Sequence, residues 1–289
     1  TGESSSQYSR RVYRLHDRVS IIGGVSYDIR KSLQAQDYDS KTKIVSDFLM
    51  SNSEAWNLQI GSIFTLYAGR EISISVAKKT RFATMKDRYS YKLGTAIPNP
   101  GLKPEMAINY DLSYHEIIGK SATYKVNLFY NDVRDVIQQV SNVQGNLYQM
   151  QNLGKARYYG VETEVTVRPI SAIDLGANYT LLKRENISNP SVRFLDTPVH
   201  KAAIYIGIIP IAPVDIRGSM EYDSKRFSTS DGIYVASAFT VFNINASISV
   251  HRNVVFYAGI ENVLDRNYSI VDGYPEAGRT GYITLRFHN

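Results

Sequence analysis

Cysteine is absent from all 289 residues, which excludes a disulfide framework and every cysteine-based zinc or redox centre. Long apolar runs are absent as well: no stretch approaches the roughly 18 to 20 residues that a membrane-crossing helix needs. A membrane β-barrel is not excluded, because its strands turn alternate residues toward a polar lumen and so lower the average hydropathy. The mean hydropathy of -0.25 fits either a barrel or a soluble sheet protein. Tryptophan occurs once and phenylalanine 10 times, against 22 tyrosines. Tyr joins an apolar ring to a polar tip, which suits a strand, a membrane–water boundary or a wet binding surface.

Catalytic signatures are missing too. There is no Gly-x-Ser-x-Gly elbow, no His-Glu-x-x-His helix and no phosphate-cradling Gly-rich loop. His16, His115, His200, His251 and His288 are scattered singly, and surface solvation accounts for them without metal or proton chemistry. Glu162 and Glu164, two apart on a strand, share its lumen side, where polar lining explains them as well as acid–base work does. The chain therefore reads as a non-enzyme, with no catalytic residues, no metal site and no cofactor. Residues 1–7 are polar and lack the layout of a secretion signal, so the leader of an exported protein is expected upstream.

What is present is two-residue periodicity, almost from end to end. Val19, Ile21, Gly23, Val25, Tyr27 and Ile29 face one way, and Phe242, Ile244, Ala246, Ile248 and Val250 repeat the pattern late in the chain. About thirteen such strands can be traced. Their connections alternate in length: short at His16-Asp17, Ala68 to Arg70, Gly119-Lys120, Pro169 to Ala172, Pro210 to Pro213 and His251 to Asn253. The long polar ones fall at 31–55, 78–104, about 140–146, 184–198, 224–232 and 262–280. Short-long alternation is the mark of an up-and-down transmembrane barrel, with periplasmic turns and extracellular loops. A sandwich would break it with Greek-key crossings, and a propeller would show an internal repeat.

Charge is unevenly placed. Lys78, Lys79, Arg81, Lys86, Arg88, Lys92 and Lys103 stand against Asp87 alone in the segment 78–103, an excess equal to the net +6 of the whole chain. Two readings fit: a rim that binds anionic outer-leaflet lipid, or an entrance that attracts anionic ligands. Nucleic acid is not expected, since neither a basic helix nor a stacking platform is present.

Three stretches carry a resemblance. Gly259 to Tyr268, then Gly273-Tyr274-Pro275 and Gly278-Arg279 before a closing strand to Phe287, resembles the C-terminal signature of TonB-dependent outer-membrane receptors. Lys78 to Ser90 with Asn99 to Glu105 and Asn109 to Ser113, and then Asn152 to Ala156 with Gly160 to Glu164, are similar to the same family in its expected order. The family usually has Pro before the Gly-Arg pair and ends on the aromatic; here Ala277 precedes the pair and His288-Asn289 trail it.

The resemblance implies an all-β protein, a transmembrane antiparallel up-and-down barrel of about 22 strands. Residues 1–289 would supply its C-terminal portion, about thirteen strands, leaving about nine strands and an N-terminal plug outside this chain. It further implies an outer-membrane receptor that imports a scarce ligand, a ferric siderophore or another iron or cobalamin complex, energised by TonB through the plug. The implied partners are outer-membrane lipid, the missing strands and plug, TonB and a small metal chelate, with the carboxyl terminus periplasmic. A passive barrel, porin or adhesin without a plug, is the alternative.

Loop tips of a rigid barrel gather binding residues. The expected ligand contacts are therefore Arg81, Lys86, Arg88, Tyr89 and Tyr91 in one loop, with Tyr268, Tyr274 and Arg279 in another. Arg offers a planar fork to carboxylate or catecholate oxygens, and Tyr an amphipathic face.

Overall fold

The computed structural model describes residues 2–39 and 41–287. Alternation is translated into one antiparallel sheet of 13 strands in strict sequence order. These are β1 (Gly2–His16), β2 (Val19–Ser32), β3 (Asn52–Tyr67), β4 (Arg70–Arg81), β5 (Glu105–Ile118), β6 (Ala122–Arg134) and β7 (Lys155–Ile170). They continue as β8 (Ile173–Asn186), β9 (His200–Ile211), β10 (Val214–Asp223), β11 (Phe239–His251), β12 (Val254–Glu261) and β13 (Thr280–Phe287). The expected strand count and the six short turns are found. His288 and Asn289, expected near those turns, lie outside the described residues.

Register keeps the two faces distinct across the sheet. Ile74, Leu112, Leu128 and Val161 stand directly opposite one another in turn, as do Met220 with Phe242 and Ile244 with Ile260. This apolar face is not packed against a second layer: Ile60 is 62% exposed, Ile204 50% and Ile283 74%. The opposite face holds Asn109, Asn131, Glu162, Glu164, Asn243 and Asn245. A soluble sheet would cover its apolar side; here that side is left open among the described residues. Aromatic side chains lie in rows along the apolar face. Tyr27 pairs with Trp56, ring centroids 4.8 Å apart, and Tyr110, Tyr130 and Tyr159 are in register, the first two 6.1 Å apart.

On the polar face glycine serves close approach at two places. Opposite Gly176 lies the ring of Tyr205, and opposite Gly259 that of Tyr282; a Cβ would come within 2.1 and 2.5 Å of ring atoms. Each tyrosine can therefore lie across its neighbouring strand, covering backbone that a larger residue would hold apart.

Both sheet edges are open among the described residues. Strand β1 pairs only with β2 and β13 only with β12, and every described residue of both edge strands is exposed. Because thirteen is odd, β1 and β13 run in the same direction.

The long connections are more structured than periodicity suggests. They span 33–51, 82–104, 135–154, 187–199, 224–238 and 262–279 and are called L1 to L6. The third was expected at about 140–146 and is much larger: Ile137–Gln144 and Leu147–Asn152 form a hairpin, which Ala96–Ile97 of L2 joins in parallel. Its strands lie off the wall, so wall alternation did not reveal them. The small buried cores also lie at this end. Ala83, Leu102 and Ile137 pack with Met150, and Val133, Val136 and Ala156 pack with Leu153 and Phe194.

Candidate functional site

The motifs that carry the family resemblance turn out to be staples within and between loops. In L6 the buried Asn262 donates to the carbonyls of Arg266 (2.8 Å) and Ala277 (3.2 Å), and its Oδ1 accepts from the Arg266 amide at 2.8 Å. Asp265 accepts from the Arg279 amide at 2.8 Å. Asn262 and Asp265 both take left-handed backbone, φ 50 and 53, which Asn and Asp tolerate better than most residues. Likewise Asn152 of L3 donates to the Lys103 carbonyl (3.1 Å) and accepts from its amide (2.9 Å), while Asn99 donates to the Met150 carbonyl at 2.9 Å. Asparagine presents a donor and an acceptor together, so one side chain can close two backbone groups.

L2 is built around a short helix, α1 (Met85–Tyr89). Thr84 caps it: its hydroxyl accepts from the Asp87 amide at 3.1 Å, and Asp87 accepts from the Thr84 amide at 2.9 Å. That closure turns Arg88 inward. Its guanidinium is buried and donates to the Pro100 carbonyl (2.8 Å) and to the hydroxyls of Ser51 and Ser53. Burial pulls its pKa down, but a guanidinium remains charged.

The other residues expected at a site are spread over several roles. Arg81 ends β4, paired with Glu105 at 3.2 Å and donating to the Ile137 carbonyl at 3.1 Å. Tyr89 donates to the Leu49 carbonyl at 3.0 Å, and Tyr91 to Asp37 at 2.7 Å, a bond that raises the Tyr91 pKa. Tyr268 packs on Phe239, ring centroids 4.4 Å apart and tilted by 43°, and burial raises its pKa. Lys86, Tyr274 and Arg279 are exposed.

Five loops converge on one cavity of about 740 Å³. Its wall takes Lys92 from L2, Gln139 from L3, Asp196 from L4, Tyr234 from L5, and Asp272, Tyr274 and Glu276 from L6. Tyr274 is the one residue of the expected set on this wall. Lys92 lies 5.2 Å over the Tyr148 ring and faces a wall of carboxylates, so the basin is of mixed charge rather than basic. Part of Asp196 is open to the cavity, yet surrounding protein desolvates its carboxyl and pushes its pKa up, while Arg226, Arg184 and Lys92 pull the other way. Behind it, Arg184 lies 4.4 Å over the Phe194 ring and 5.1 Å over that of Tyr158, so L4 is pinned to the wall.

Gln139, Asp196, Tyr234, Asp272 and Glu276 were missed in the sequence. Periodicity had put their loops at one end of the sheet, so polar loop tips were the available signal; what it lacked was which tips meet. With mixed hydrogen-bonding groups and two tyrosines on its wall, the basin can hold a polar ligand of small-molecule size.

A family model described as TonB dependent receptor-like, beta-barrel matches residues 1–263. The iron-regulated outer membrane virulence protein of Vibrio cholerae serotype O1 is 24% identical over 211 residues, covering 66% of this chain and 32% of that protein. Among solved structures, the copper transporter OprC superposes with a TM-score of 0.82 at 16% identity over 99% of this chain and 48% of its own. The ferric yersiniabactin uptake receptor FyuA from Yersinia pestis gives 0.80 at 19%, over 99% of this chain and 45% of its own. The chain thus spans about a third of the curated relative and under half of the solved ones.

Proposed function

Since the chain belongs to the TonB-dependent receptor-like β-barrel family, we propose that it forms wall and outer mouth of an outer-membrane receptor importing a scarce metal chelate, a ferric siderophore or another iron or cobalamin complex. The observation that carries this reading is the basin that five loops close over an antiparallel sheet whose outward face is apolar. Proteins of similar structure include a copper transporter, a siderophore receptor and an iron transporter, which supports a chelated metal as cargo without choosing one. The metal here is substrate. L1 to L6 face the outside, and the short turns and carboxyl terminus the periplasm.

On this reading the remaining barrel strands and the plug lie outside residues 1–289, on the same polypeptide or on a separate chain. Unpaired edges are not tolerated in lipid, and parity constrains what fills them. With β1 and β13 running the same way, antiparallel closure takes an odd number of added strands, which about nine satisfies for a barrel of about 22. TonB would act through the plug, so this chain supplies no motor.

At the ligand we place Tyr274 and Lys92, with Lys86 and Arg279 on the exposed approach. Arg81, Arg88, Tyr89, Tyr91 and Tyr268 hold the loops that carry them. The test is uptake of a panel of labelled ferric siderophores and cobalamin by cells carrying the full-length gene, with and without a functional TonB. TonB-dependent uptake of one chelate, weakened by Tyr274→Ala with Lys92→Gln, is expected. Uptake indifferent to TonB would replace this reading with a passive barrel.

A further inference from the structure

The cations around the basin are already engaged, and its carboxylates are not. Arg226 is buried and pairs with Asp223 at 3.1 Å, Arg184 lies over the rings of Phe194 and Tyr158, and Lys92 over that of Tyr148. The charges of all three reach one carboxylate, that of Asp196. Asp272 and Glu276 of L6 stand apart from this group. Asp272 begins the turn between Ser269–Val271 and Tyr274–Pro275, and its amide donates to the Ser228 hydroxyl at 2.9 Å, while the Glu276 amide donates to the Tyr268 carbonyl at 2.9 Å. The backbone of both residues is thereby held, yet neither carboxylate has a hydrogen-bond or ion-pair partner among the described residues. The negative side continues inward: Glu221 of β10 and Glu261 of β12 lie on the polar face, beside the outward Met220 and Ile260, and act with Glu276 on the Tyr268 hydroxyl. Of the basic residues in 78–103, Lys92 alone reaches the basin wall.

Carboxylates on a cavity wall repel an anion and attract a cation, and the surrounding protein focuses that field. Tyr234 and Tyr274, on the same wall, add ring faces that favour cations too. The charge of a ferric chelate follows from its donors: three hydroxamates cancel that of the ferric ion, whereas three catecholates overshoot it. We propose that the basin selects a chelate of hydroxamate type bearing a protonated amine, the amine meeting the carboxylates of Asp272 and Glu276, and that it rejects ferric tris-catecholates. The inference rests on the reading of the basin as the ligand site of a metal-chelate receptor. It reverses the expectation, drawn from the basic segment 78–103, that the entrance favours anions.

The experiment uses the full-length protein purified in detergent and one linear ferric trihydroxamate whose terminal amine is free, acetylated or succinylated, so that this end passes from positive through neutral to negative. Titration calorimetry should give the free amine at least about tenfold tighter binding than the acetylated form, the worth of one hydrogen bond to a charged group, with the succinylated form weakest. Asp272→Asn with Glu276→Gln should bring the free amine to the level of the acetylated form and leave the acetylated form unchanged. Heat-modifiable migration in gels reports folding, and the wild-type ranking stands as a test even if the double variant does not fold. Equal affinity for the three forms, preference for the succinylated one, tighter binding of a ferric tris-catecholate, or an unchanged ranking in the folded variant would each overturn the inference and leave the receptor reading intact. Binding of none of these chelates also overturns the inference; if cells carrying the gene show no TonB-dependent uptake of any chelate, the receptor reading falls with it.

Discussion

The Arg88 guanidinium donates to the Pro100 carbonyl across 2.8 Å, closing L2 on itself, and also bonds Ser51 at the end of L1 and Ser53 at the start of β3. A cation in a basic loop is here a strut. Arg88→Ala leaves these part-buried acceptors short of a donor, at a cost of about 1 to 3 kcal/mol. Proteolysis within 82–104 of membrane-inserted protein should accelerate; an unchanged rate would show that the loop does not depend on this side chain.

Ile244 lies mid-strand on the outward face and is 45% exposed. Ile244→Arg should destabilise by about 2 to 4 kcal/mol if that level is the bilayer midplane, whereas Asn245→Arg on the polar face should cost far less. Reversible unfolding in lipid vesicles measures the difference, and equal effects would argue against lipid on the Ile244 side.

Strands and turns were legible because alternation depends only on neighbours in sequence, and each wall strand pairs with the next. The basin was not, because its residues meet through loops far apart in the chain: Lys92 and Tyr274 share one cavity wall. Arg88 illustrates the same limit. Beside Lys86 it reads as one more solvated charge, and its partners Ser51 and Ser53 lie 37 and 35 residues away. Tyr274, which lines that cavity, could be named because exposed aromatics at loop tips are a local signal; Asp196, a single acid in a polar loop, gives none.

The Asp196 carboxyl, raised by desolvation, keeps its proton in the folded protein over a pH range where the unfolded chain has lost it. Stability should therefore fall as pH rises through that window, which opens near the ordinary aspartate value and closes at the folded one. Asp196→Asn should remove this part of the slope and be more stable than wild type above the window. Unfolding measured from about pH 4 to 7 tests it; parallel wild-type and variant curves would be the contrary result.

Lacking cysteine, the protein allows sidedness to be read with single introduced thiols. Ser191→Cys in L4 should react with a membrane-impermeant maleimide on intact cells, and Lys120→Cys at a short turn only after the outer membrane is permeabilised. Labelling of Lys120→Cys on intact cells would invert the orientation.

Strict neighbour-to-neighbour pairing also sets the unit in which this wall can change in size. A hairpin added or removed at any turn leaves every later strand running as before, with its loop on the same side and its apolar residues still outward. One added strand would reverse all that follow, carrying the asparagine-stapled loops to the opposite end of the sheet. Growth and loss by pairs is therefore the only route that preserves the mouth, and it keeps the strand count of this segment odd.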